Sequence, residues 1–245
     1  SGAVCHTLNI RLFPDQLAYI INHAEDRVVF VDATLLPALE QVADQIGCVE
    51  QFVLFNADGE VETRLPNISY YEDLMAEADD AFNWVVDDEN MAMGLCYTSG
   101  TTGLPKGVML THYNLVANVL QFGALESTDE QDTLIAVLPF FHIYGLVVIL
   151  NSALSVGATC VCVPRFDLEQ FLTILQDYKV TRAHLVPPIV LGLAKHPLVD
   201  KFDLSTLKLI MCGAAPLDRE RYPGFGRLQA SRPCLPQQTL SSTVL

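Results

Sequence analysis

Basic residues are scarce. The chain of 245 residues carries 14 Lys and Arg against 29 Asp and Glu, a formal charge of −15 and a pI near 4.6. So acidic a surface repels a phosphate backbone except at local basic spots, and few of those exist, which argues against nucleic acid as a partner. No Cys-x-x-Cys pair occurs among Cys5, Cys48, Cys96, Cys160, Cys162, Cys212 and Cys234, and no histidines stand at zinc-finger spacing. Neither a disulfide framework nor a metal cluster is indicated, and the cysteines are expected as small core residues in a reducing, cytoplasmic compartment. The start, Ser1-Gly2-Ala3-Val4, has no initiator Met, no basic n-region and no long apolar h-region, so it is not a signal peptide and the chain is expected to begin in mid-protein. Charge is missing altogether from Thr133 to Pro164. A membrane span is still not expected there, because Pro139, His142, Gly145, Asn151 and Gly157 cut the stretch into pieces of strand and helix length and no Lys or Arg cluster flanks it.

What is present is an alternation of short β-branched runs with segments of helical period, the mark of an α/β fold with a parallel-rich sheet flanked by helices. Pro14 to Glu25 sets Leu17, Ile20, Ile21 and Ala24 on one helix face. A strand is expected over 28–31, a helix over 35–46 and a strand over 52–55. Further strands are expected at 94–97, 134–138, 158–163, 183–186 and 207–211, with helices near 112–125, 144–155, 167–178 and 188–195. Residues 57–89 read as a surface excursion. After Arg221 the regime changes: Tyr222 to Leu245 has no acidic residue and no period, so a domain over 1–221 and a disordered tail over 222–245 are expected.

The most informative stretch is Tyr97 to Gly107, YTSGTTGLPKG, in which Thr98, Ser99, Thr101 and Thr102 supply hydroxyls, Gly100, Gly103 and Gly107 supply glycines, and Lys106 supplies a cation. That inventory suits a polyphosphate: glycines let backbone N–H groups approach the anion, hydroxyls donate, and the ammonium is a point charge for the outer phosphates. No Asp or Glu occurs from Asn90 to Leu125, so nothing competes with a bound anion. The loop is not a Walker A sequence, because Lys106 stands between Pro105 and Gly107. A glycine-rich surface turn is the bland alternative.

YTSGTTGLPKGVMLTH, Tyr97 to His112, resembles the signature of the acyl-adenylate-forming (AMP-binding) superfamily of acyl-CoA synthetases, luciferases and peptide-synthetase adenylation domains. LPFFHIYG, Leu138 to Gly145, is similar to the aromatic-His segment of 4-coumarate:CoA ligases and fatty-acyl-CoA synthetases, and Gly213-Ala214-Ala215-Pro216 resembles their GAAP turn. The opening, His6 to Asp32, looks closer to synthetases for medium-chain and methylthio-acids and the middle closer to coumarate ligases, so the subfamily stays open. The resemblance covers most of residues 1–220 and implies a partial large N-terminal domain. It implies that Thr98 to Gly103 and Lys106 hold ATP phosphates, that His142 lies over the reacting carboxylate, and that Tyr144 lines the acyl pocket. It makes Gly213 and Ala214 part of a wall beside adenine, with Ala215 and Pro216 toward the acid. By residue type alone His142 is equally a satisfied core histidine, and Gly213 to Pro216 a helix-initiating turn. Arg165 aligns with a residue that meets coenzyme A phosphates; a solvated surface Arg is equally consistent.

The implied reaction joins a small-molecule carboxylic acid to ATP, with Mg²⁺, and then to coenzyme A. The family's aromatic-Gly-x-Thr-Glu and TGD strings, and its adenylation lysine, are not found in Asp218 to Leu245. No protein ligand for the metal is therefore assigned, and the chain alone is expected to be inactive. The rival readings are another adenylate-forming enzyme, luciferase-like or a peptide-synthetase domain, and a non-catalytic nucleotide-binding truncated product. Oligomeric state and acid are not legible.

Overall fold

The computed structural model describes residues 2–57, 59–83, 88–98 and 103–213. The tail expected over 222–245 lies outside them. The chain divides into two compact units, Ser1–Asn114 and Leu115–Leu245.

The first unit opens with β1 (Cys5–His6) and α1 (Pro14–Ala24). Pro14 suits the first helical turn, where its missing N–H has no partner to lose, and Gln16 Oε1 accepts from the Phe13 N–H at 3.3 Å. The helix stops at Glu25, whose φ of 56° is left-handed. β2 (Val28–Asp32) alternates, with Val29 and Val31 inward and Val28 and Phe30 outward. The helix expected over 35–46 is broken: α2 covers only Leu36–Glu40, flanked by tight turns at 33–35 and 43–45. Leu36 and Leu39 of α2 and Val42 just beyond it are buried at every third position, the period of a 3₁₀ turn, and Val42 N–H donates to Leu39 O.

β3 (Gln51–Phe55) is buried through Phe52, Val53 and Leu54, as a central strand should be, and pairs in parallel with β2 and with β4 (Ile68–Tyr70). β4 and α3 (Tyr71–Glu77) occupy the stretch read as a surface excursion; with three residues in the strand, β4 is too short for its alternation to register. β5 (Ala92–Tyr97) pairs in parallel with β1 and antiparallel with β6 (Gly107–Thr111), a strand not anticipated because Gly107, Val108 and Met109 face solvent.

α4 (His112–Glu126) leads into the second unit, built on a four-stranded parallel sheet in the order β10-β9-β7-β8. Its elements in chain order are β7 (Thr133–Ala136), a π-helical turn over Tyr144–Asn151, α5 (Ser152–Val156), β8 (Thr159–Cys162), α6 (Leu168–Asp177), β9 (Arg182–Leu185), α7 (Pro187–Lys195) and β10 (Leu209–Cys212). The two-residue period of β7 sends Ile135 to a core with Phe171, Leu172 and Leu175 of α6 and Val190 and Leu193 of α7. Leu134 and Ala136 face the other side, against Ile149 and Ala153. Each large side chain so buried contributes about 1.5–3 kcal/mol.

The cysteines correct one expectation: the six described ones are free, but Cys5 and Cys162 are exposed, lying on the edge strands β1 and β8, and the others are half-buried. Among the described residues no helix is long and apolar enough to cross a membrane.

Candidate functional site

One candidate site, within the first unit, is the mouth of the β5–β6 hairpin. Tyr97 is opposite Gly107 in the ladder, and beyond that pair the neck is tied by Thr98 N–H donating to Lys106 O at 3.0 Å and Lys106 N–H donating to Thr98 Oγ1 at 3.3 Å. The Tyr97 ring covers Gly107, where an added Cβ would stand 3.1 Å from Tyr97 Cζ and 3.2 Å from Leu95 Cδ1. Tyr97 is held from behind by His23, whose Nδ1 is 2.7 Å from the phenol oxygen, and by the His6 ring at 5.0 Å. His6 Nδ1 in turn lies 2.8 Å from Asp26. Burial raises the Tyr97 phenol above its ordinary value, with Tyr19 and Asp26 adding, so it stays neutral. Thr98, Gly103 and Lys106 are exposed, while Ser99, Gly100, Thr101 and Thr102 lie outside the described residues. The arrangement is a two-stranded neck that leaves Thr98 and Lys106 exposed to solvent.

A second candidate site, within the second unit, stands past the carboxyl ends of its parallel strands, the customary position of ligands in open α/β sheets. After β7 the chain turns at Pro139, whose carbonyl accepts from the His142 N–H at 3.1 Å. Gly145 is obligatory there: a Cβ would stand 2.3 Å from Pro139 O and 2.8 Å from Leu138 O, both backbone atoms. The helix expected over 144–155 begins as the π-helical turn, and the carbonyls displaced by its wider spiral are met by Asn151 Nδ2 to Leu146 O at 2.7 Å and Ser152 Oγ to Val147 O at 3.2 Å.

His142 is exposed, and its Nδ1 accepts from the Tyr144 N–H at 3.1 Å, which places the neutral ring's proton on Nε2. The Tyr144 ring packs on Gly213, where a Cβ would meet the phenol oxygen at 3.0 Å. Gly213, the residue after β10, is pinned by its N–H to Leu185 O at 3.1 Å. Tyr144 and Gly213 are thus brought together. Arg165 is exposed in the turn after β8, with no hydrogen bond or ion pair to either among the described residues. Ala214, Ala215 and Pro216 lie outside the described residues.

Behind this face is a buried polar cluster that sequence reading missed. Asp132 accepts from Arg182 Nε at 2.6 Å, Thr181 Oγ1 at 2.8 Å and Lys208 Nζ at 2.9 Å. Burial alone would raise the Asp132 carboxyl, but those donors, with the Asp129 N–H, outweigh it and hold the group well below the usual carboxylate range. Arg182 also donates to the carbonyls of Glu126 and Ser127, at 2.8 and 3.0 Å. Glu126 and His184 lie beside it, both buried. All four residues of β9 are buried, so neither Arg182 nor His184 stands out by period, and the pair Asp132 and Arg182 is joined only in three dimensions.

Among the described residues no group of three or more His, Cys, Asp and Glu could hold a metal ion, so the Mg²⁺ implied by the resemblance finds no protein ligand set among them.

The AMP-binding enzyme family matches residues 1–228. The chain belongs to that family. It is 38% identical over 218 residues to a 3-methylmercaptopropionyl-CoA ligase of Ruegeria lacuscaerulensis, covering 88% of this chain and 40% of the relative. It is 44% identical over 155 residues to 4-coumarate–CoA ligase 2 of Petroselinum crispum, covering 62% of this chain and 28% of the relative. Among solved structures, a red-emitting luciferase from Phrixothrix hirtus matches with a TM-score of 0.80 at 25% identity over 94% of this chain and 44% of that one. The chain therefore spans well under half the length of these relatives.

Proposed function

We propose that this chain is the phosphate-gripping and acid-facing part of an ATP-dependent carboxylic acid:CoA ligase. The observation that carries the reading is the hairpin-necked loop of Thr98 to Lys106, set in an acid-free window, in a member of the AMP-binding family. The two sequence relatives named above carry CoA ligase in their names, and one activates a methylthio-acid and the other a cinnamic-type acid; this chain's own acid is of the fatty or aryl kind.

A carboxylate approaching an anionic triphosphate meets charge repulsion, so the enzyme's first task is neutralisation and alignment. Lys106 places its ammonium on the outer phosphates, and Thr98, with the hydroxyls of Ser99, Thr101 and Thr102, donates to their oxygens. The carboxylate oxygen then attacks the α-phosphorus, the bond to the bridging oxygen breaks, and pyrophosphate leaves. His142 donates its Nε2 proton to the polarised oxygens beside the reacting carboxyl. In the second half-reaction the coenzyme A thiolate attacks the acyl carbon and AMP leaves, with Arg165 near the coenzyme's phosphates. Tyr144, with Ala215 and Pro216, flanks the acyl group, and Gly213 and Ala214 form a wall beside adenine. A cytoplasmic setting fits the free thiols of the six described cysteines.

The test is acid-dependent pyrophosphate release by the full-length protein, followed by thioester formation once coenzyme A is added. Release without any dependence on a carboxylic acid would sink the reading. Adenylation without thioester would leave an adenylate-forming enzyme of another kind.

A further inference from the structure

The Tyr144 hydroxyl is backed by two buried groups. His184 Nδ1 lies 3.4 Å from it, and His184 Nε2 lies 3.5 Å from Glu126 Oε2, so a π-helical turn, β9 and the end of α4 contribute one residue each to a line running into the core. His184 is 0% exposed and Glu126 4%. Both separations are long for hydrogen bonds, and neither Glu126 oxygen nor His184 Nε2 has a partner of good geometry among the described residues. A buried carboxylate without donors is costly, whereas a neutral carboxyl has an O–H to give.

The charges facing this line are few. Arg182 Nη1 is 3.8 Å from Glu126, and Arg182 is itself engaged by Asp132, which also binds Lys208. Phe122 faces His184 with ring centroids 5.7 Å apart, and Cys212 faces Tyr144. Burial pushes the Glu126 carboxyl up to about 7, with Arg182 opposing and Asp132 adding. Burial, then Arg182, brings the His184 imidazole down to about 4, so the ring is neutral and has one donor and one acceptor.

We propose that Glu126 and His184 are positioning residues: the protonation state of the buried carboxyl, relayed through a neutral imidazole, decides whether the Tyr144 hydroxyl offers a donor or an acceptor to the acyl group of the acid. With Glu126 protonated, its O–H donates to His184 Nε2, Nδ1–H donates to the Tyr144 oxygen, and the Tyr144 proton points away, toward the acid. With Glu126 ionised and its proton in solvent, Nε2–H faces the carboxylate, Nδ1 accepts the Tyr144 proton, and the acid meets only lone pairs. The direction of the Tyr144 hydroxyl follows from the cluster itself; its consequence for the acid rests on the reading that Tyr144 lines the acyl site.

The experiment uses full-length protein with ¹⁵N-labelled histidine, reading the His184 tautomer from its ring nitrogen shifts at a pH about 1.5 below and about 1.5 above the Glu126 midpoint. The expected result is Nδ1–H at the low pH and Nε2–H at the high pH, and Nδ1–H at both in Glu126→Gln, whose amide keeps a donor and cannot ionise. One tautomer throughout in the unaltered protein, or the same change in Glu126→Gln, overturns the relay. In parallel, KM for an acid with a hydrogen-bond acceptor in its acyl group, taken relative to a hydrocarbon acid of equal length, is expected to rise roughly two- to tenfold across that range with kcat ratios unchanged, and to stay flat in Glu126→Gln. A tautomer change without that rise overturns the link to the acid. If no acid drives pyrophosphate release, the ligase reading and the acyl half of this proposal fall together, and the tautomer measurement still decides the relay.

Discussion

Replacing Asp132 by alanine removes the carboxylate that ties together the start of β7, β9 and the approach to β10, the frame behind Tyr144 and Gly213. The side chains of Asp132 and Arg182 are 1% and 10% exposed, so the variant leaves a guanidinium buried without its counter-charge. Breaking a buried pair from one side costs about 3–5 kcal/mol. Arg182 keeps two carbonyl acceptors, Glu126 O and Ser127 O, which sets the expectation near the lower end, about 3 kcal/mol. The Lys208 side chain is 54% exposed, so Lys208→Met should cost no more than ~1 kcal/mol. Against a total stability of about 5–15 kcal/mol, the Asp132 change is large. Urea unfolding followed by circular dichroism measures it, and Asp132→Ala with Arg182→Met should recover part of the loss because the uncompensated charge goes too. A cost below ~1 kcal/mol for Asp132→Ala, or a double variant no better than the single one, would refute this account of the cluster.

Gly145→Ala should destabilise by about 1–3 kcal/mol and lower acid-dependent turnover, because its methyl meets two backbone carbonyls that cannot rotate aside; unfolding and pyrophosphate release measured together check it. The pH dependence of stability should carry two opposite signatures. Asp132, held low, contributes stability that is present above its ordinary value of 3.8 and lost as pH falls below it, and the loss should vanish in Asp132→Ala. Glu126, raised, contributes stability that is full below 4.5 and lost as pH rises to about 7, and Glu126→Gln should flatten that slope. Rates across an acid series should rise with acyl or aryl size to a limit, because the segment around His142 and Tyr144 carries no charge; a preference for dicarboxylates or amino acids would contradict this.

Strong periodicity made much of the frame legible: α1, α4, α6 and α7, and the strands at 28–32, 51–55, 92–97 and 159–162, follow from apolar spacing and β-branched runs. The signature strings also marked the loop from Thr98 to Lys106, since hydroxyls, glycines and a lysine are local features. What escaped was set by contact. β6 is visible only as the partner of β5, β4 only as a third strand beside β3, and the π-helical turn only through Gly145 against the Pro139 carbonyl and the side chains that cap its carbonyls. The 3₁₀ geometry around α2 was written in the spacing of Leu36, Leu39 and Val42, a three-residue period read as a helix. The cluster of Glu126, Asp132, Arg182 and His184 left no pattern because its members meet across distant segments.

The central claim is that Lys106 and the Thr98 to Thr102 hydroxyls hold the triphosphate of an ATP from which a carboxylic acid displaces pyrophosphate. Its most direct test is acid-dependent pyrophosphate exchange into ATP by the full-length protein, with and without Lys106→Ala, over fatty, methylthio and cinnamic-type acids. Exchange should require an acid and fall by about 10²–10³ in the variant, the usual loss for one positioned electrostatic group. Equal ATP affinity and equal exchange rates in the two proteins would contradict it.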